Sequence, residues 1–144
     1  MIFVDASAWY ALLAEKDTHH PEAEEFFAEV GKGRFGAPLT TDYVLDETFT
    51  LLRLRWGVGP VRRLAELLRR SPTVRRVRIG EASFEASLDL MLSHGDKKWS
   101  FTDCSSFVTM REAGVTRAFT LDHNFAEAGF EVLPHAWAGS PRSD

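Results

Sequence analysis

Cysteine is almost absent from this 144-residue chain: Cys104 is the only one, so neither an intramolecular disulfide nor a cysteine-built zinc site can form. Long apolar runs are missing as well. No stretch approaches the ~20 consecutive apolar residues that a membrane-spanning helix needs. The amino terminus carries an acid at position 5 and no basic lead-in, which is not a secretory pattern. There is no glycine-rich phosphate loop, no internal repeat and no low-complexity tract. These absences lead us to expect a single globular unit, spanning 1–144 with a carboxyl-terminal tail from about 135, in a reducing, cytoplasmic setting.

What is present is ordinary in bulk, with 44 % apolar and 26 % charged residues, but uneven in detail. The net charge of −4 conceals a basic segment: between Arg53 and Arg78 nine arginines face one acid, Glu66. Such a segment suits either phosphate contacts or a solvated helix face with snorkelling arginines.

The chain opens on Ile2-Phe3-Val4, an apolar run of β-forming types that reads as a buried strand and ends at Asp5. Ala6–Leu13 has helical composition, so Asp5 is either a helix cap or a carboxylate at the carboxyl edge of a sheet, where open α/β folds bind ligands. Pro21 begins a second helix, 21–31, with Ala23, Phe26, Phe27 and Val30 on its stripe. Residues 34–39 read as a strand. Thr40 or Thr41 caps a helix carrying Leu45, Phe49, Leu52 and Trp56, and Pro60 opens another with Leu64 and Leu68. A strand over 73–79 follows, then a helix over 81–92. Thr102 caps a helix over 103–113, and a strand over 117–121 leads to a short helix, 122–128. A last strand, 130–133, precedes the tail. Strands separated by helices imply an α/β sandwich with a mostly parallel sheet.

In such a sheet the residues after each strand converge on one edge. Asp5, Asp103 and Asp122 are brought there, together with an acid from the early turns of the third helix, for which Asp42, Asp46 and Glu47 compete. Each acid has a plain structural alternative, since Asp103 and Asp122 also suit helix starts. Jointly, carboxylates without basic partners repel one another, and a divalent cation removes that conflict. Oxygen-only ligands select hard ions such as Mg²⁺ or Mn²⁺. An ion of this kind acidifies a water and stabilises the oxygens of a displacement at phosphorus.

Four blocks then resemble one known family. Met1-Ile2-Phe3-Val4-Asp5-Ala6-Ser7, Thr40–Thr48, Phe101-Thr102-Asp103-Cys104-Ser105-Ser106-Phe107 and Phe119–Phe125 are similar, in order and over nearly the whole chain, to the signature blocks of PIN domains. The small toxins of the VapC type are the most similar branch. The resemblance implies a PIN-like α/β/α fold and a Mg²⁺- or Mn²⁺-dependent endoribonuclease whose acidic quartet is Asp5, Glu47, Asp103 and Asp122. It thereby selects Glu47 among the competing acids. It further implies RNA as substrate, an antitoxin as partner and a homodimer. Asn124 departs from the family, in which aspartate or histidine is frequent at that position. That bears on an ancillary ligand there and leaves the quartet complete.

Ser7 and Thr120 are hydroxyls placed to orient the carboxylates. Arg53 and Arg55 lie about two turns beyond Glu47 on the same helix, where they are candidates for RNA phosphates. Cys104 falls on an apolar stripe with no histidine base and reads as core. His19 and His20, adjacent at a helix entry, point in different directions and make a poor metal pair. An aspartyl-phosphate phosphatase would want Asp-x-Asp after the first strand, but position 7 is serine. The competing class is a non-catalytic RNA- or partner-binding module that keeps the fold. Such a module has no need of four mutually repelling acids.

Overall fold

Ile2, Phe3 and Val4 form strand β1 (Ile2–Val4), and each is 0 % exposed. Successive strand residues point to opposite faces, so this strand is covered on both. In the computed structural model, which describes residues 1–139, β1 sits at the centre of a five-stranded sheet. The other strands are β2 (Pro38–Thr41), β3 (Arg75–Val77), β4 (Arg117–Phe119) and β5 (Glu131–Leu133). Their order is β3-β2-β1-β4-β5 and every pairing is parallel.

The helices are α1 (Ala6–Leu13), α2 (His20–Gly31), α3 (Asp42–Trp56), α4 (Val58–Arg70), α5 (Glu81–Ser93), α6 (Phe101–Ala113) and α7 (Asn124–Glu127). The expected succession of strands and helices is the observed one, and the fold is the α/β/α sandwich read from the sequence. α1 packs on α2, α3 and α4, while α5 packs on α6. Trp9, Phe3, Phe107, Phe119 and Phe125 are the largest fully buried side chains, and Phe107 meets Phe125 edge-on at 4.9 Å. Cys104 is fully buried in this core, as expected.

Boundaries differ in instructive places. β2 lies at 38–41 rather than 34–39, because residues 33–36 are spent on a turn closed by the Gly36 N–H to the Gly33 carbonyl. Gly36 has φ 77° and passes so close to the amino terminus that a Cβ would lie 2.6 Å from the Met1 nitrogen, which only glycine permits. α4 begins at Val58, two residues before Pro60, and β3 is trimmed to its central three residues. Ser100, not Thr102, caps α6: its hydroxyl accepts the Asp103 N–H while the Asp103 carboxylate accepts the Ser100 N–H, a reciprocal capping box.

Trp56 shares the helical period of Leu45 and Leu52 but is 42 % exposed, because the end of α3 runs beyond the body of the fold. The expected tail is not loose at its start: His135–Trp137 make a turn of 3₁₀ helix, with Trp137 buried and stacked on Phe119 at 5.3 Å. Residues 140–144 of that tail lie outside the described residues. No helix among the described residues is long and apolar enough to cross a membrane.

Candidate active site

The strand order makes β1 and β4 adjacent while their chain neighbours run off in opposite directions, β2 and β3 to one side and β5 to the other. Such a switch point opens a crevice at the carboxyl ends of the strands. Asp5 stands at the end of β1 and Asp122 just beyond β4. Asp5 is the residue before α1, but its side chain makes no cap hydrogen bond. The carboxylate is engaged elsewhere: Oδ2 accepts the hydroxyls of Ser7 at 3.0 Å and Thr120 at 2.8 Å. The helix-cap alternative therefore gives way to the sheet-edge one.

Both hydroxyls are used twice. Ser7 Oγ also accepts the Leu121 N–H and Thr120 Oγ1 the Asp122 N–H, each at 2.9 Å. A hydroxyl has one proton and two lone pairs, so each donates to Asp5 and accepts from the backbone that carries Asp122. The position of one acid thus sets that of the other. Beneath them the Trp9 indole donates to Thr40, whose hydroxyl donates to the Val4 carbonyl. That pair ties α1 and β2 to the strand end.

Asp122 Oδ1 accepts the Asn124 N–H at 2.9 Å, and the Asn124 amide donates to Asp103 Oδ2 at 3.1 Å. Asn124 is buried. The residue that departs from the family pattern is therefore a neutral donor joining two acids, a role that only the packed structure reveals. Asp103 receives its other bond from the Ser100 N–H, also on Oδ2.

Asp5, Asp103 and Asp122, each close to 5 % exposed, line one cavity of about 300 Å³. Glu47 and Arg55 line it from α3. Of the acids that competed on α3, Asp42 is committed elsewhere: its Oδ1 accepts the N–H groups of Tyr43 and Ile79, pinning the start of α3 beyond β3. Asp46 is exposed and not at the cavity. Thr41 is the cap of α3, accepting the Val44 N–H at 3.1 Å. Residues 47, 51 and 55 recur every four positions, so they share a face and all reach the cavity. Arg53 is six residues from Glu47, about 240° around the helix, and it is exposed outside the cavity.

Tyr10, Leu51 and Asp17 also line the cavity; spacing from Glu47 would have found Leu51, but the other two need tertiary geometry. Thr120 lies behind the cavity wall and acts through Asp5. His19 and His20 indeed diverge, one ring against Trp137 and the other bonded to the Ala11 carbonyl.

Burial, and then the charges of Asp103 and Asp122, push the Asp5 carboxyl up to about 7, against the smaller opposing effect of the Thr120 hydroxyl and the Ala6 N–H. The cause is a carboxylate removed from water beside two others. Among the described residues no three His, Cys, Asp or Glu side chains are already closed into an ion cage. The cavity is an open hollow lined by the carboxylates of Asp5, Asp17, Glu47, Asp103 and Asp122 and one guanidinium, that of Arg55.

An all-parallel sheet with three buried aspartates at its switch point, and a glutamate facing them from the next helix, defines the class. The PIN domain family matches residues 2–131, and this chain belongs to that family. Among individual proteins, the chain is 35 % identical over 135 residues to the 23S rRNA-specific endonuclease VapC20 of Mycobacterium tuberculosis, covering 93 % of this chain and 99 % of that one. The crystal structure of M. tuberculosis VapC20, a sarcin–ricin loop cleaving toxin, superposes with a TM-score of 0.81 at 33 % identity, over 90 % of this chain and 96 % of that one. FitAcB from Neisseria gonorrhoeae matches with a TM-score of 0.62 at 18 % identity, over 92 % of this chain and 96 % of its own, a likeness of fold.

Proposed function

We propose that this protein is a divalent-metal-dependent endoribonuclease that hydrolyses RNA phosphodiester bonds and serves as the toxin of a toxin–antitoxin pair. One observation carries the reading: three buried aspartates converge on a cavity in which burial, and then the charges of the other two, push the Asp5 carboxyl up to about 7. A fold gains nothing in stability from such crowding. A cation that enters the hollow relieves it.

The donor set fits Mg²⁺ or Mn²⁺. It is all oxygen, and Mg²⁺ keeps several waters and uses few carboxylates, so an open hollow suits it better than a closed cage. Asp5, Asp103, Asp122 and Glu47 would hold the ion, directly or through water. When bound, the ion supplies the charge that acidifies a water and stabilises the oxygens at phosphorus. The side chains do the rest. Ser7 and Thr120 fix Asp5 Oδ2, and Asn124 with the Ser100 N–H fixes Asp103 Oδ2. Arg55, at the cavity wall, offers the cation that a phosphodiester needs when it approaches acids.

The relationship to VapC20 supports RNA as the substrate class and ribosomal RNA as the first substrate to try. It also supports the toxin role, with an antitoxin as partner, and action in the cytoplasm, where ribosomes are. The exposed Phe84 and Leu92 of α5 are apolar surface that suits a homodimer. The full length of the chain would act as one PIN unit.

The test is incubation of purified protein with total RNA in Mg²⁺, in Mn²⁺ and in excess EDTA. Discrete fragments with either ion and none with EDTA are expected. A calorimetric Mn²⁺ titration separates this reading from a non-catalytic binding module, which would show no saturable ion site.

A further inference from the structure

The cavity wall carries one aromatic ring, and a second stands beside it. Tyr10 of α1 lines the hollow, and its hydroxyl accepts the Trp56 indole N–H at 2.8 Å. The Arg55 guanidinium lies 5.9 Å from the Tyr10 ring centroid. Trp56, the last residue of α3, is 42 % exposed, and Gly57 with φ 81° turns the chain away immediately after it. An indole on the surface is thus held in one orientation by its own N–H, with a cation and a second ring beside it.

We propose that Tyr10, Arg55 and Trp56 form a shelf that receives an unstacked RNA base next to the cleaved phosphodiester. The inference rests on the ribonuclease reading above and deepens it by assigning a subsite. Single-stranded RNA is recognised by stacking its bases on aromatic rings and guanidinium planes, and this corner combines both. It is also at the right distance. Arg55 is eight residues beyond Glu47, about 12 Å along the helix axis, the reach of a neighbouring nucleotide. The charge is complementary too: Arg55 meets the phosphate, and the neutral rings meet the base.

A purely structural staple between α1 and α3 explains the arrangement less well. These helices already pack on each other, and a hydrogen bond at the surface adds little to that. Nor does a staple require that a large apolar ring stay in solvent beside a residue of the cavity wall.

The test measures cleavage in Mg²⁺ of an RNA stem-loop of sarcin–ricin sequence, intact or with a single abasic nucleotide at each loop position in turn. One abasic position should raise KM about tenfold for the wild-type enzyme. Trp56→Ala should raise KM on intact RNA by a similar factor, with kcat little changed, and should show no further rise at that abasic position. Trp56→Phe keeps a ring and should stay near wild type. Trp56→Leu, apolar without a ring, takes the place of the alanine variant should that variant fail to fold by circular dichroism.

Additive losses at every abasic position, or an unchanged KM in the ringless variants, overturn the shelf. So does an unchanged KM with a fallen sedimentation coefficient, which would make Trp56 a contact between copies of this chain. If the wild-type enzyme cleaves no RNA in Mg²⁺ or Mn²⁺, the ribonuclease reading has failed first. Cleavage by wild type with no dependence on Trp56 removes the shelf alone.

Discussion

Thr120 donates its hydroxyl to the Asp5 carboxylate across 2.8 Å and 115 positions of sequence. The bond joins the ends of adjacent parallel strands, and the same oxygen accepts the Asp122 N–H. Thr120→Val keeps the shape and removes both bonds. We expect a loss of about 1–3 kcal/mol in urea denaturation, since a buried N–H is left without an acceptor. The acidic limb of the pH–rate profile should move upward, because the Asp5 carboxylate loses a donor. A variant with wild-type stability and an unmoved profile would remove Thr120 from the site.

Asp5 gives a pH signature to the metal-free protein. Its carboxyl rises from 3.8 to about 7 on folding, so between those values the folded chain holds a proton that the unfolded chain has released. Stability is then full below about pH 4 and declines as pH rises through about 7, by up to about 4 kcal/mol. Asp5→Asn should abolish cleavage and flatten this slope. Calorimetry in EDTA at pH 5 and pH 8 should show the variant equal to or more stable than wild type at the higher pH. A melting temperature several degrees lower there would make Asp5 a structural residue.

Ion identity follows from the donors. Mg²⁺ or Mn²⁺ should support cleavage and raise the melting temperature, whereas Ca²⁺, which prefers a larger and looser shell, should support it poorly. Full activity in excess EDTA would sink the metal reading.

Arg55 and Arg53, which composition alone cannot separate, should differ. Arg55→Ala should weaken RNA binding and lower the slope of log affinity against log salt by about 1. Arg53→Ala, on the far side of the helix, should do less. Filter binding over a salt series decides between them, and equal effects would place the phosphate path elsewhere.

The amide of Asn124 neutralises nothing but donates to Asp103. Asn124→Asp replaces that donor with an acceptor. It should lower the melting temperature in EDTA and tighten Mn²⁺ binding in calorimetry, the two effects coming from the same added charge. Unchanged Mn²⁺ affinity would show that position 124 is too far from the ion to ligate it.

The sheet and the three aspartates were legible because both depend on local pattern. An apolar run such as Ile2-Phe3-Val4 that ends at an acid marks a strand edge wherever it occurs, and parallel strands bring those edges together. Glu47 was less so: the helical wheel left Asp42 and Asp46 in contention, and what excludes Asp42 is a bond from the Ile79 N–H, two residues past the distant strand β3. Trp56 misled for a related reason. Periodicity reports which face of α3 is apolar, not where the body beneath that face stops. The roles of Tyr10 and Asn124 arise from pairings 46 and 21 residues apart, and no spacing rule reaches that far.

The pairing of β4 with β1 also carries a lesson about timing. A protein that destroys RNA is itself translated from RNA on a ribosome. Thr120, which holds Asp5, is synthesised 115 positions after it, with Asp122 following, so β4 must slide in beside a strand made long before it. Every nascent chain that stops short of this insertion lacks one acid and the clamp on another.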